Sequence, residues 1–107
     1  MPSLVISGAG GIYAARVNGI WDVSGEVVDG MFVYFKRGDT SLCLEYNSFY
    51  RGWRITSMDR RVIGLGGYAY VNCDPPAPVE QCTAVWNVSI DPDWEAAQPT
   101  VRVLPYV

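Results

Sequence analysis

The chain has 107 residues, half of them apolar and 13% aromatic, with a formal net charge of −3. That is the size of one domain, with enough apolar mass for a compact interior and no room for a second core. The mildly acidic balance excludes a surface that binds a nucleic-acid backbone throughout, and no run approaches the ~18 apolar residues of a membrane helix.

Strong helix formers are sparse, whereas Val, Ile, Tyr, Trp, Phe, Thr and Gly are plentiful, a mixture suited to half-buried strands joined by tight turns. In chain order, residues 3–7 read as a short apolar strand ended by Gly8, Gly10 and Gly11. Residues 17–23 form the next strand, with Ile20 and Trp21 just after Asn18-Gly19. Val27-Val28 and Met31-Phe32 flank Asp29-Gly30, the strongest hairpin signal present, because a type I′ turn needs positive φ at both central residues. The unbroken apolar run over residues 31–35 predicts a strand covered on both faces or lying at a barrel seam.

Arg37-Gly38-Asp39 is a second turn, leading to a strand at residues 41–46. Gly52 opens a strand at 53–57, in which Trp53 and Ile55 alternate with Arg54 and Thr56. A strand at 68–72 follows Gly64, Gly66 and Gly67. The segment from Cys73 to Cys82 holds Pro75, Pro76 and Pro78, cannot sustain a ladder and reads as a stiff extended loop. In residues 85–90, Trp86, Val88 and Ile90 share one face, with Asn87 and Ser89 on the other. Residues 92–99 read as a loop with one helical turn around Trp94, and 101–104 as a closing strand with Arg102 outward. The expected fold is therefore all-β: one small antiparallel barrel or sandwich of about eight short strands, its terminal strands paired to hide an edge.

The chain contains no histidine, the commonest general base and metal ligand, so Ser-His-Asp and Cys-His nucleophiles and imidazole zinc sites are excluded. The three cysteines lack C-x-x-C spacing. They read as reduced thiols in a cytoplasmic chain, because residues 1–4 lack the charged and apolar regions of a secretory signal; Cys73 and Cys82 could in principle close a loop. Two acid clusters, Asp22/Glu26/Asp29 and Asp91/Asp93/Glu95, fall in expected turns, where acids form turns and solubilise rather than hydrolyse sugars. The second also resembles a loose calcium loop, without the glycine and final glutamate of an EF-hand. Gly8-Ala9-Gly10-Gly11 follows a strand as a phosphate loop would, but the G-x-G-x-x-G spacing and a following helix are missing, so it reads as a turn. No metal or cofactor is expected.

Trp21, Trp53 and Trp86 recur at intervals of 32 and 33 residues in short W-x-aliphatic strands, where little else aligns, and they read as core. Six of the eight basic residues fall between Lys36 and Arg61. Phe49, Tyr50 and Arg51 lie in an expected loop, and with Arg54, Arg60 and Arg61 they are the candidate binding residues, an exposed aromatic-basic patch of the kind found at interface hot spots.

Ile6-Ser7-Gly8-Ala9-Gly10, Val17-Asn18-Gly19-Ile20-Trp21, Gly30 with Tyr34, Leu44-Glu45-Tyr46, Trp53-Arg54-Ile55, Tyr68-Ala69-Tyr70, Pro75-Pro76 and Trp86-Asn87-Val88 follow one another in an order that covers nearly the whole chain. This order resembles a small all-β module of unknown function that recurs in multidomain proteins of protists. The chain departs from that pattern in having Trp21 where tyrosine is usual and extra residues between Ser57 and Tyr68. The resemblance implies an all-β module with no established activity and no catalytic residues to carry over. The resulting expectation is a non-enzymatic module that binds another protein, and not nucleic acid or membrane. A carbohydrate- or small-ligand-binding domain is the alternative, its exposed aromatics stacking on a sugar and its tryptophan fluorescence reporting the binding.

Overall fold

Local turn chemistry sets the hairpins. Asp29 (φ 52°) and Gly30 (φ 79°) both adopt positive φ, as the type I′ turn requires, and join β2 (Gly19–Val28) to β3 (Met31–Lys36). The computed structural model describes residues 3–63, 67–91 and 94–106. The remaining elements are β1 (Leu4–Ser7), α1 (Ala14–Val17), β4 (Asp39–Asn47), β5 (Gly52–Ser57), α2 (Met58–Ile63), β6 (Ala69–Asn72), a 3-10 turn (Val79–Gln81), β7 (Trp86–Asp91), β8 (Trp94–Gln98) and β9 (Arg102–Pro105). Gly64 and Gly66, expected to open β6, lie outside the described residues.

Among the described residues all nine strands belong to one antiparallel sheet in the order β8-β7-β6-β5-β4-β3-β2-β1-β9. From β1 to β8 the sheet is a meander; β9 then pairs with β1, Val5 opposite Leu104 and Ile6 opposite Val103. The expected pairing of the terminal strands is therefore present. Consecutive strands β8 and β9 occupy opposite edges of the sheet, yet only residues 99–101 join them. Four Cα–Cα steps reach at most about 14 Å, so the sheet must curl until its edges approach, giving a half-barrel. Side chains hold this seam. Gln98 Oε1 accepts from the Gly10 N–H at 2.8 Å, and Thr100 Oγ1 donates to the Gly8 carbonyl at 2.7 Å. Gly8 (φ 87°) permits the approach, since a Cβ there would stand 2.0 Å from the Thr100 carbonyl oxygen.

Inside the curl, Trp21, Tyr34, Leu44, Tyr46, Trp53, Ile55, Val71, Trp86 and Val88 are all buried in one cluster with Leu4, Ile6 and Val17. Tyr46 and Trp53 pack edge to face at 5.8 Å. The polar ends of the rings are satisfied by backbone: Trp21 Nε1 donates to Val17 O (3.1 Å), Trp53 Nε1 to Ala77 O (2.8 Å) and Tyr46 Oη to Cys73 O (2.9 Å). Two of these acceptors lie in the proline-rich segment, which also contributes the buried Val79 and so covers part of the cluster.

One local expectation is corrected. Residues 94–98 form β8, pairing with β7 from Ser89↔Glu95 to Trp86↔Gln98, where a loop with a helical turn was expected. Ala, Glu and Gln favour helix in isolation, and here cross-strand pairing outweighs propensity. The extra residues after Ser57 hold α2, begun by Ser57 Oγ accepting the Arg60 N–H at 3.3 Å. This helix packs on the outer face of β4 and β5. Val33, Cys43, Glu45, Arg54 and Thr56 are buried outside the main cluster, on the other side of the sheet. Val33 and its neighbour Tyr34 are both buried, so the centre of β3 is covered on both faces as expected.

Candidate functional site

The tip joining β4 to β5 is built by Asn47. Its Oδ1 accepts the N–H groups of Phe49 (2.9 Å) and Tyr50 (3.1 Å), an Asx turn that reverses the chain. Three further contacts fix the tip from neighbouring elements. Asp29 Oδ2 accepts the Ser48 N–H at 3.1 Å, Tyr70 Oη donates to the Tyr50 carbonyl at 2.5 Å, and the Cys73 N–H donates to the Arg51 carbonyl at 2.9 Å. Arg51 takes φ 57°, the left-handed region uncommon for a residue other than glycine, and its Nη1 lies 3.4 Å from Asp74 Oδ2. Burial pushes the Tyr70 phenol above its ordinary pKa, so it stays a hydrogen-bond donor through neutral pH.

On this braced tip Phe49 is 84% exposed and Tyr50 50% exposed. The two rings meet edge to face, centroids 5.1 Å apart and planes at 88°. Beside Tyr50 the outer face dips into a cavity of about 380 Å³ lined by Tyr50, Arg54, Gly67, Ala69, Tyr70 and Glu95.

The six residues expected to form one exposed aromatic-basic patch are divided over the molecule, although Tyr50 and Arg54 border the same cavity. Phe49, Tyr50 and Arg51 stand together on the tip. Arg54 is only 6% exposed, bonded to Glu45 Oε1 through Nε (3.2 Å) and Nη2 (2.9 Å). Arg61 joins the same carboxylate, Nε to Glu45 Oε2 at 2.7 Å, and reaches on to Glu26. These charges form a structural network that ties α2 to β2, β4 and β5. Arg60 follows the opposite end of β5, roughly 17 Å along the strand from the tip at about 3.4 Å per residue. Its guanidinium lies 5.1 Å from the centroid of the buried Tyr68 ring, with Arg16 at 4.8 Å from the same centroid. Strand alternation alone placed Arg54 outward; the helix whose Arg61 shares Glu45 with it had no signal in the pattern. The bracing roles of Tyr70 and Asp29 depend on which elements meet, which local sequence does not carry.

Among the described residues, the remaining candidate chemistries have no assembled site. Among the described residues, no group of three or more Cys, Asp or Glu is placed to hold a metal ion. In the glycine loop, the Ala9 and Gly10 N–H groups are taken by Asn18 and Gln98 rather than left to cradle a phosphate. Of the first acid cluster, Asp22 bonds Arg37, Glu26 bonds Arg61 and Asp29 bonds the tip. In the second, Glu95 lines the cavity, while the Asp91 side chain and Asp93 lie outside what is described. Trp21, Trp53 and Trp86 are buried and cannot stack on a sugar from solvent. All three cysteines are free thiols, and no described helix is long and apolar enough to cross a membrane. Comparison with protein-family models, with curated proteins and with solved structures returns no match for this chain.

Proposed function

We propose that this protein is a non-enzymatic interaction module that docks another protein through the β4–β5 tip, with Phe49 and Tyr50 as anchors and Arg51 beside them. One observation carries this reading: a phenyl ring is held 84% exposed on a tip whose backbone is braced by Asn47, Asp29, Tyr70 and the Cys73 N–H. An aromatic group already fixed in its bound geometry loses little conformational freedom on association and gains the burial of its ring, which is how hot spots work. The adjoining cavity gives the surface a concave side for a partner side chain. The net charge of −3 and the single arginine at the tip favour a protein over nucleic acid. Three free thiols are in keeping with a cytoplasmic setting.

The test is affinity purification from the native cell with quantitative mass spectrometry, comparing the wild type with a Phe49→Ala/Tyr50→Ala variant of unchanged near-UV circular dichroism. Loss of two anchors lowers partner recovery by at least about 30-fold. A folded double variant with an unchanged partner set overturns the reading.

A second reading, a small-ligand or carbohydrate site, rests on the same cavity, where Tyr50 and Tyr70 border Glu95. It requires saturable binding from a glycan panel by calorimetry, because the described tryptophans are too buried to report it by fluorescence.

A further inference from the structure

Residues 73–82 leave the end of β6 and pass three prolines and a 3-10 turn before the chain reaches β7. Cys73 Sγ lies 3.7 Å from Ala77 O and Cys82 Sγ lies 3.6 Å from Pro78 O, consecutive carbonyls of one loop, so the two thiols face the same stretch of backbone. Cys43 is apart from them, buried on the face of the sheet that α2 covers. The pair is unequal. Cys73 is 7% exposed, whereas Cys82 is partly open and lines a cavity of about 290 Å³ between the β7–β8 end of the sheet and β9.

We propose that Cys73 and Cys82 form a redox-modification site, at which a small-molecule disulfide such as oxidised glutathione converts the thiol pair into an intramolecular disulfide. This goes beyond the docking role and does not depend on it. The Cys82 thiolate, reached through the cavity, attacks one sulfur of the oxidant, forming a mixed disulfide and expelling one glutathione thiolate. The Cys73 thiolate then attacks the Cys82 sulfur and expels the second. The protein loses two protons and two electrons, and the oxidant's S–S bond is reduced to two thiols, so the exchange balances. The ring that closes holds contacts that need not move: the Ala77 carbonyl on Trp53, the Cys73 carbonyl on Tyr46 and Val79 in the core.

The groups facing Cys82 are Cys73, Glu80 and Tyr46, with Arg102 across the cavity. Burial first, then the neighbouring Cys73 and the Glu80 charge, pushes the Cys82 thiol above its ordinary value. Only the thiolate attacks, so the rate rises with pH through the neutral and mildly alkaline range, by up to about tenfold per unit.

The experiment incubates the reduced full chain with oxidised glutathione and follows intact mass and peptide mapping. The expected product has lost two hydrogens, carries no glutathione, links Cys73 to Cys82 and melts at least about 5 °C higher. Cys73→Ser stalls as a glutathione adduct on Cys82, and Cys82→Ser stays largely unmodified at Cys73. A native chain that keeps a glutathione adduct with Cys73 free, or that forms intermolecular disulfides instead, overturns the proposal. So does a wild type that stays fully reduced while the same chain is oxidised in denaturant.

Discussion

Glu45 divides its carboxylate between two guanidiniums beneath α2, one oxygen on Arg54 and the other on Arg61. Its worth depends on completeness, because removing Arg54 leaves a buried carboxylate oxygen without its partner while Arg61 holds the other. Arg54→Ala is expected to cost about 3–5 kcal/mol, read as a fall in the denaturation midpoint with an unchanged slope. The more exposed Arg37–Asp22 pair, 49% and 40% exposed in its side chains, is screened by solvent and sets the scale for a weak one. A cost for Arg54→Ala no larger than that would contradict the buried-network assignment. Two residues further along β5, Thr56 Oγ1 is buried with no hydrogen-bond partner among the described residues. A buried hydroxyl left unpaired destabilises, so Thr56→Val, nearly the same shape, is expected to raise stability by about 1 kcal/mol. Thermal unfolding checks it; a lower Tm would show that the hydroxyl is satisfied.

At the scale of elements, Asp22 ties three of them together, accepting from Ser3 Oγ beside β1 and from Arg37 Nε and Nη2 in the β3–β4 turn. The Arg37 hydrogen bonds first, then that from Ser3, hold its carboxyl at about 2, below the usual carboxylate value. A depressed carboxyl stabilises the fold above its unfolded pKa, and that contribution is lost as pH falls from about 4 towards about 2. Asp22→Asn is therefore expected to unfold with a shallower pH dependence across that window. Curves of equal steepness would remove Asp22 from the acid response. The hairpins were legible because Asp29-Gly30 and Gly38 mark turns that depend on their own φ values. By contrast, β8 is a strand only because β7 offers it a ladder, and α2 changes the meaning of the alternation in β5 by covering its outer face. The partition of the six candidate residues follows from α2. The tip keeps its exposed aromatics, and Arg54 and Arg61 turn to Glu45.

Across the whole molecule, the curl leaves β8 and β9 as edges joined only by residues 99–101. Tyr106 N–H donates to Ser3 O, so in an antiparallel ladder Leu104 also faces β1, while Val103 and Pro105 turn their backbone outward. Pro105 has no N–H to give, so β9 is a poor template for an added strand. A partner is better met at the end of the sheet that carries Phe49 and Tyr50, where rings rather than backbone are offered. Ile12, 66% exposed, belongs to the other end: its neighbour Tyr13 packs 5.0 Å from Tyr68, just ahead of β6, whereas the tip is braced by Cys73 just after it. The most direct measurement places a photo-crosslinking phenylalanine analogue at position 49 or at position 12 in the native cell. A discrete protein adduct from position 49 with none from position 12 is the predicted result. The same adduct from both positions, or none from position 49, would contradict docking through the tip.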